Sequence, residues 1–220
     1  MIIAIDGPSA SGKSTTAKGI SEKLKIMHLD TGAMYRAVAL YILNQEIAES
    51  RIRNPNQMTQ ILDEIEIKFS NETNNIFLNG KDVSVEIREN RVSEFVSEVS
   101  AISLVRERMV LLQREIATGS NVVLEGRDIG TRVFPNADVK VYLNADVNER
   151  GQRRFKELVE RGEKITLDAV IQDIELRDLK DSSREHSPLE KAKDAIEIDT
   201  TKLSIDAQVN EIVSLIQTNN

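Results

Sequence analysis

Residues 7–14 read G-P-S-A-S-G-K-S, a full match to the phosphate-loop pattern GxxxxGK[ST], and no other stretch restricts the fold as much. Such a loop needs a strand entering it and a helix leaving it, because the helix adds the positive end of its dipole to the anion site. Both flanks are present. Ile2 to Ile5 is an apolar, β-branched run with the composition of a buried parallel strand, and 13–24 places Ala17, Ile20 and Leu24 on one helical face. Gly7 and Gly12 let the backbone curl so that successive N–H groups point inward. Pro8, Ser9, Ala10, Ser11 and Thr15 complete the expected cradle for nucleotide phosphates. Lys13 is placed to reach the terminal phosphates, and the Ser14 hydroxyl to ligate magnesium.

The remaining sequence alternates strand and helix, the signature of an α/β sheet with crossover connections. Ile26 to Leu29 is a second short strand that delivers Asp30-Thr31-Gly32 to a strand end, where ligands collect in open α/β folds. A helix follows over 32–44, with Tyr35 and Arg36 at its start. The pattern then changes to short alternating runs, 65–70 and 76–78, with an Asn79-Gly80 turn signal before Lys81. This predicts a small antiparallel sheet inserted at roughly 61–88. Helical patterning resumes over 86–118 as two helices broken near Ser100. Strands at 121–124, 139–143 and 196–198 complete five parallel strands with helices on both faces. Between them lie a basic helix over 146–161 closed by Gly162, a helix capped by Thr166 or Asp168 that runs to about Ser182, and a terminal helix capped by Ser204.

Composition decides what kind of nucleotide protein this is. A net charge of −7 argues against a general nucleic-acid or membrane surface, and no apolar run approaches membrane-spanning length. Zero cysteines excludes disulfides and thiolate metal sites, which fits a reducing cytosol, and a chain that begins with its first strand leaves no room for a cleavable signal peptide. A cytoplasmic location is expected. Arginine clusters are therefore local exceptions. Arg177, Asp181 and Arg184 are spaced i, i+4 and i+7, so they share one helix face, and Arg150, Arg153, Arg154 and Arg161 suit a flap over a transferring phosphoryl group. With only His28 and His186 in the chain, both read as incidental, no histidine-based constellation is available.

These residues resemble the bacterial cytidylate kinases almost end to end. The resemblance is carried by IDGPSASGKST at 5–15, LDTGAMYR at 29–36, LNGKDVS and EIR within 78–88, and VSEVSAISLVRE at 96–107. It continues through LEGRDIGTRVFPNADVKVYL at 124–143 and RDLKDSSREHSPL at 177–189. It implies a single P-loop kinase domain with core segments 1–35, 97–149 and 165–220, a nucleoside-monophosphate-binding insert at 36–96 and a lid at 150–164. The reaction implied is transfer of the γ-phosphoryl group of ATP to CMP or dCMP with Mg²⁺, by a monomer that acts on free nucleotides. The family's pattern places Ser97, Arg106 and Asp128 at the cytosine, Arg36, Arg127 and Arg184 at the CMP phosphate, and Arg177 and Asp181 at the ribose, with Thr31 and Tyr35 beside them. Thr31 stands where some members have serine and keeps the hydroxyl. Lys13, Arg127, Arg154, Arg177 and Arg184 are the implied catalytic charges.

Two other readings remain to be weighed. A GTP-binding switch needs NKxD and DxxG segments, and neither is present. Another small-molecule kinase of the same fold, of the adenylate or shikimate kinase kind, stays open. Adenylate kinases carry a DG-aromatic-PR segment where this chain has EGRDIGT.

Overall fold

Apolar periodicity switches between two and 3.6 along the chain, and the elements follow it. The computed structural model describes residues 1–70 and 74–218. The first half runs β1 (Ile2–Asp6), α1 (Lys13–Leu24), β2 (Met27–Asp30), α2 (Thr31–Asn44), α3 (Glu49–Ile52), α4 (Pro55–Asp63), β3 (Ile67–Phe69), β4 (Ile76–Leu78), β5 (Lys81–Asp82), α5 (Asn90–Val99) and α6 (Ser103–Ala117). The second half runs β6 (Val122–Gly126), β7 (Val139–Asn144), α7 (Val147–Glu160), α8 (Leu167–Ser182), β8 (Ile196–Asp199) and α9 (Ile205–Thr218). These elements group into two units, Met1–His28 with Gly119–Asn220, and Leu29–Thr118.

The first unit is built on a five-stranded sheet in the order β2-β6-β1-β7-β8. β1 pairs in parallel with β6 on one side and β7 on the other, and β7 pairs in parallel with β8. A strand covered on both faces has to be apolar throughout, and Ile3, Ala4 and Ile5 are all fully buried. Ile3 and Ile5 meet Ala17 and Ile20 of α1 and Val209, Ile212 and Ile216 of α9. Helices α7 and α8 lie so close that a Cβ on Gly151 would stand 2.4 Å from Ile171 Cγ1. Gly151 is therefore a packing glycine inside a helix. Gly162, at φ +84°, does end the basic helix as its sequence position implies.

In the second unit, α2 buries Met34, Val38 and Leu40 completely, and α5 and α6 contribute Val92, Val99 and Val105 to the interior. Its antiparallel sheet β3-β4-β5 pairs Ile67 with Leu78 and Phe69 with Ile76. Asn79 and Gly80, at φ +49° and +80°, make the left-handed turn that their sequence signals. The Asn79 amide fastens the turn by accepting from the Glu66 N–H at 2.7 Å and donating to the Glu64 carbonyl at 2.9 Å.

Four local features depart from the sequence reading. Residues 49–63 form α3 and α4, so Ile61 lies in a helix and the small sheet begins only at Ile67. The signal was present in Asn54-Pro55: Asn54 Oδ1 accepts from the Gln57 N–H at 3.2 Å, and proline occupies the first helical position. Residues Glu86–Arg88 make one 3₁₀ turn, and α5 starts at Asn90. A π-helical turn, Ile129–Val133, follows β6, a geometry that no short-range pattern announces. Finally, α8 ends at Ser182, so Arg184 lies past the cap and does not share a helix face with Arg177 and Asp181.

Candidate active site

The phosphate loop leaves β1 and enters α1 with its two outer glycines in conformations that other residues avoid. Gly7 has φ +151°, and a Cβ there would stand 2.1 Å from the Leu143 carbonyl oxygen, while Gly12 has φ +94°. Gly12 offers no side chain to the first turn of α1, which leaves its N–H groups for an anion. Within the loop, Lys13 Nζ donates to the Pro8 carbonyl at 2.5 Å and to Ser11 Oγ at 3.3 Å. The Ser11 carbonyl in turn accepts from Thr200 Oγ1 at 3.0 Å. Burial, then the nearby Arg127 charge, pushes the Lys13 ammonium down to about 7. A cation held at such cost is placed for an anion to arrive.

Ser14, the expected metal ligand, donates from Oγ to Glu125 Oε2 at 2.6 Å. The other oxygen of Glu125, Oε1, lies 2.9 Å from His28 Nε2. His28 thus has a defined place, buried against the carboxylate that faces Ser14. A hydroxyl and a carboxylate side by side are hard oxygen donors, the set that suits Mg²⁺. Sequence reasoning passed over Glu125, although a carboxylate at the carboxyl end of a parallel strand beside β1 was a usable signal.

β6 then delivers Arg127 and Asp128. Arg127 Nε donates to Asp181 Oδ2 at 2.9 Å, and Arg184 Nη2 donates to Asp181 Oδ1. Burial would raise the Asp181 carboxyl, but Arg127, Arg184 and Arg177 together hold it below the usual carboxylate range. Arg177 is the least satisfied member. Its Nε is buried with no hydrogen-bond partner, and burial, then the Arg127 charge, lowers the guanidinium to about 10. Arg154 adds to that repulsion from α7, where it also pairs with Glu157 at 3.0 Å. Three guanidiniums around one carboxylate leave a local charge of +2, which is what a phosphate dianion neutralises.

The turn carrying Arg127 and Asp128 is held from below by Asp6, another residue the sequence reading missed. Asp6 Oδ1 accepts from the Ile129 N–H at 2.8 Å, and Oδ2 accepts from the Gly130 N–H at 2.7 Å. Burial pushes the Asp6 carboxyl up to about 6, with the two N–H groups opposing. The folded pKa therefore exceeds the unfolded value of 3.8, so the charged form carries a cost in stability, and that cost is absent below pH 4 and reaches its full size above pH 6. Replacing Asp6 with Asn removes that dependence. Urea unfolding should show wild type gaining on Asp6→Asn by up to about 3 kcal/mol between pH 7 and pH 4. Parallel curves at the two pH values would contradict this.

The remaining expected residues belong to the unit 29–118. Asp30 caps α2 by accepting from the Ala33 N–H at 3.0 Å, and Thr31 is buried in the first turn. Arg36 Nη1 donates to Ser93 Oγ at 2.8 Å and to the Ile87 carbonyl at 3.3 Å. The Arg106 guanidinium lies 5.3 Å from the centre of the Tyr35 ring and donates to the Ser100 carbonyl at 3.2 Å. Ser97 is half-buried on α5, two residues before the helix ends. Of the basic α7 face, Arg150 and Arg153 turn inward: Arg153 Nη2 donates to the Thr200 carbonyl at 2.7 Å, and Arg150 is buried.

Comparison with known proteins agrees with this chemistry. The family model described as cytidylate kinase matches residues 3–218. The chain is 50% identical over 219 residues to the cytidylate kinase of Cytophaga hutchinsonii, covering 98% of this chain and 92% of that one. It is 48% identical to the cytidylate kinase of Clostridioides difficile, covering 98% of both. Among solved structures, an uncharacterized protein from Eubacterium ventriosum superposes with a TM-score of 0.55 at 14% identity, covering 99% of both chains, a likeness of fold alone.

Proposed function

The chain belongs to the cytidylate kinase family, and we propose that it transfers the γ-phosphoryl group of ATP to CMP or dCMP, giving ADP and CDP or dCDP. The single observation that carries this reading beyond its family is Arg177, a buried guanidinium with an unpartnered Nε in a cluster whose net charge a phosphate dianion would balance.

The nucleophile is an acceptor phosphate oxygen, already anionic, so no general base has to remove a proton. A bond forms from that oxygen to the γ-phosphorus as the bond to the β,γ-bridging oxygen breaks, and the electron pair leaves on ADP. Catalysis is then alignment and charge stabilisation. Residues 7–15 hold the donor phosphates, and Lys13 lies along the β- and γ-oxygens. Arg36, Arg127 and Arg184 hold the acceptor phosphate, and Arg177 with Arg154 meets the charge that spreads over the transferring group. Ser14, supported by Glu125, would hold Mg²⁺, which when bound neutralises charge on the donor phosphates. Asp181 organises the arginines and accepts from a ribose hydroxyl. Asp128 accepts from the cytosine amino group, while Arg106 and Ser97 donate to the ring acceptors, with Thr31 and Tyr35 alongside.

On this reading, 36–96 is the acceptor-binding insert and 150–164 a lid that excludes water as a competing acceptor. The net charge of −7 supports action on free nucleotides rather than on nucleic acid, the absence of cysteine fits a reducing cytoplasm, and a monomer is what the family resemblance implies. Among the described residues, no helix is long and apolar enough to cross a membrane.

The test is ATP-dependent ADP release across a panel of nucleoside monophosphates. CMP and dCMP should be the best acceptors, and a preference for AMP would overturn the reading. Asp128→Ala should then narrow the preference for CMP over UMP by about 1–3 kcal/mol, one lost base contact. An unchanged ratio with weaker ATP binding would remove Asp128 from the base site.

A further inference from the structure

One residue of the phosphate loop has both of its backbone polar groups held by side chains from outside the loop. The Ser9 N–H donates to Asp178 Oδ1 at 3.1 Å, and the Ser9 carbonyl accepts from Arg150 Nη1 at 3.1 Å. Arg150 Nη1 also donates to Asp178 Oδ2, closing a ring of peptide, guanidinium and carboxylate. Arg150 Nε donates to the Ala145 carbonyl at 3.0 Å, one residue past β7, so the guanidinium is fixed on two sides. The α7 arginine that sequence alone would send over the phosphates is turned down into the fold instead.

An aspartate is an unfavourable neighbour for an anion site, and its charge is felt at Lys13. Paired with Arg150 the couple is neutral, yet it keeps both hydrogen bonds to Ser9. The loop needs such a hold. Ala10, the next residue, sits at φ +58°, a left-handed conformation that a residue with a Cβ keeps only when its surroundings impose it. The ring also places the loop's attachment on the same turn of α8 that carries Arg177 and Asp181.

We propose that Asp178 and Arg150 are positioning residues for the donor phosphates, gripping the phosphate loop at Ser9 and holding it in the shape that receives ATP. The proposal rests on residues 7–15 being the donor site. Its advantage is that geometry and electrostatics give Asp178→Ala opposite signs. Removing a negative charge near Lys13 by itself strengthens binding of a polyanion, whereas releasing Ser9 weakens it.

Calorimetric titration of the full chain with a non-hydrolysable ATP analogue reads that sign. Asp178→Ala should bind it about tenfold more weakly than wild type, with affinity for CMP alone within about twofold. In steady-state assays the KM for ATP should rise well above any change in the KM for CMP, a split that general loss of structure does not produce. Arg150→Met should behave alike, and the double variant should bind no worse than the weaker single one, because the ring is broken once. If Asp178→Ala does not melt cooperatively, Asp178→Leu replaces it with the same expectation, since it likewise removes the acceptor for the Ser9 N–H while filling more of the space. Analogue binding as tight as wild type, or tighter, in the folded variant overturns the proposal. Lys13→Met is the control: if it too binds the analogue like wild type, the donor-site assignment has failed, whereas loss of binding in Lys13→Met alone means that only the ring has.

Discussion

Lys13→Met is expected to lower kcat by about 10³-fold or more, the scale of losing a preorganised charge at a transferring group. The fold should survive, because Met replaces the alkyl stem and the lost hydrogen bonds, to Pro8 and Ser11, are local to the loop. The same residue sets a pH dependence. In the nucleotide-free protein its ammonium is pushed down to about 7 by burial and by Arg127, so at pH 8 to 9 it is mostly neutral. Polyphosphate bound beside it favours the charged form, so binding must take up a proton there. ATP titrations at pH 8.5 in buffers of different ionisation enthalpy should therefore show uptake approaching one proton. The uptake should shrink toward pH 6, where Lys13 is already charged, and vanish in Lys13→Met. Affinity should fall as pH rises above 7, by up to about tenfold per unit. Equal proton uptake in the wild type and the variant would refute the assignment.

Arg177→Met should move activity and stability in opposite directions. Its guanidinium is buried among like charges, lowered to about 10, and has a donor without a partner. All of that is unfavourable until a substrate anion is present. Removing it should raise the thermal midpoint by a few degrees, reflecting about 1–3 kcal/mol of relieved repulsion and desolvation. It should also cut kcat by about 10²- to 10³-fold through the lost transition-state contact. A variant that is less stable than wild type, or one that retains full kcat, would show that Arg177 is a structural cation. Arg184→Met gives the contrast: it removes a satisfied partner of Asp181, so stability should fall together with activity.

Much of the fold was legible because its determinants are short-range. The apolar run at 2–5, the glycines of the loop and Asn79-Gly80 each fix a local conformation that tertiary contacts then keep. Where the reading failed, the determinant was a helix signal overlooked or a geometry set at a distance. Asn54-Pro55 belongs to the first kind. The π-turn at Ile129–Val133 belongs to the second, since it is stabilised by Asp6, more than 120 residues earlier in the chain. Arg184 shows a third case: helical spacing placed it on the α8 face, but the helix stops at Ser182, and Arg184 reaches Asp181 from beyond the cap.

The sequence by itself determined that residues 7–14 form a loop shaped to receive an anion, because glycine at both ends and Lys-Ser at the helix start leave the backbone few other uses. It also supplied the arginines, as residue types suited to anions. It could not say which arginines face an anion, because charge on a helix face looks alike whether it ends in water, on a carboxylate or in a site. The folded chain decided that. Arg150 is spent on Ser9 and Asp178 and Arg153 on the Thr200 carbonyl, whereas Arg127 and Arg184 gather with Arg177 around Asp181, three guanidiniums to one carboxylate. Arg177 alone among these keeps a buried Nε without a partner. Long side chains reach across elements far apart in sequence, so their pairing is settled only by how those elements pack.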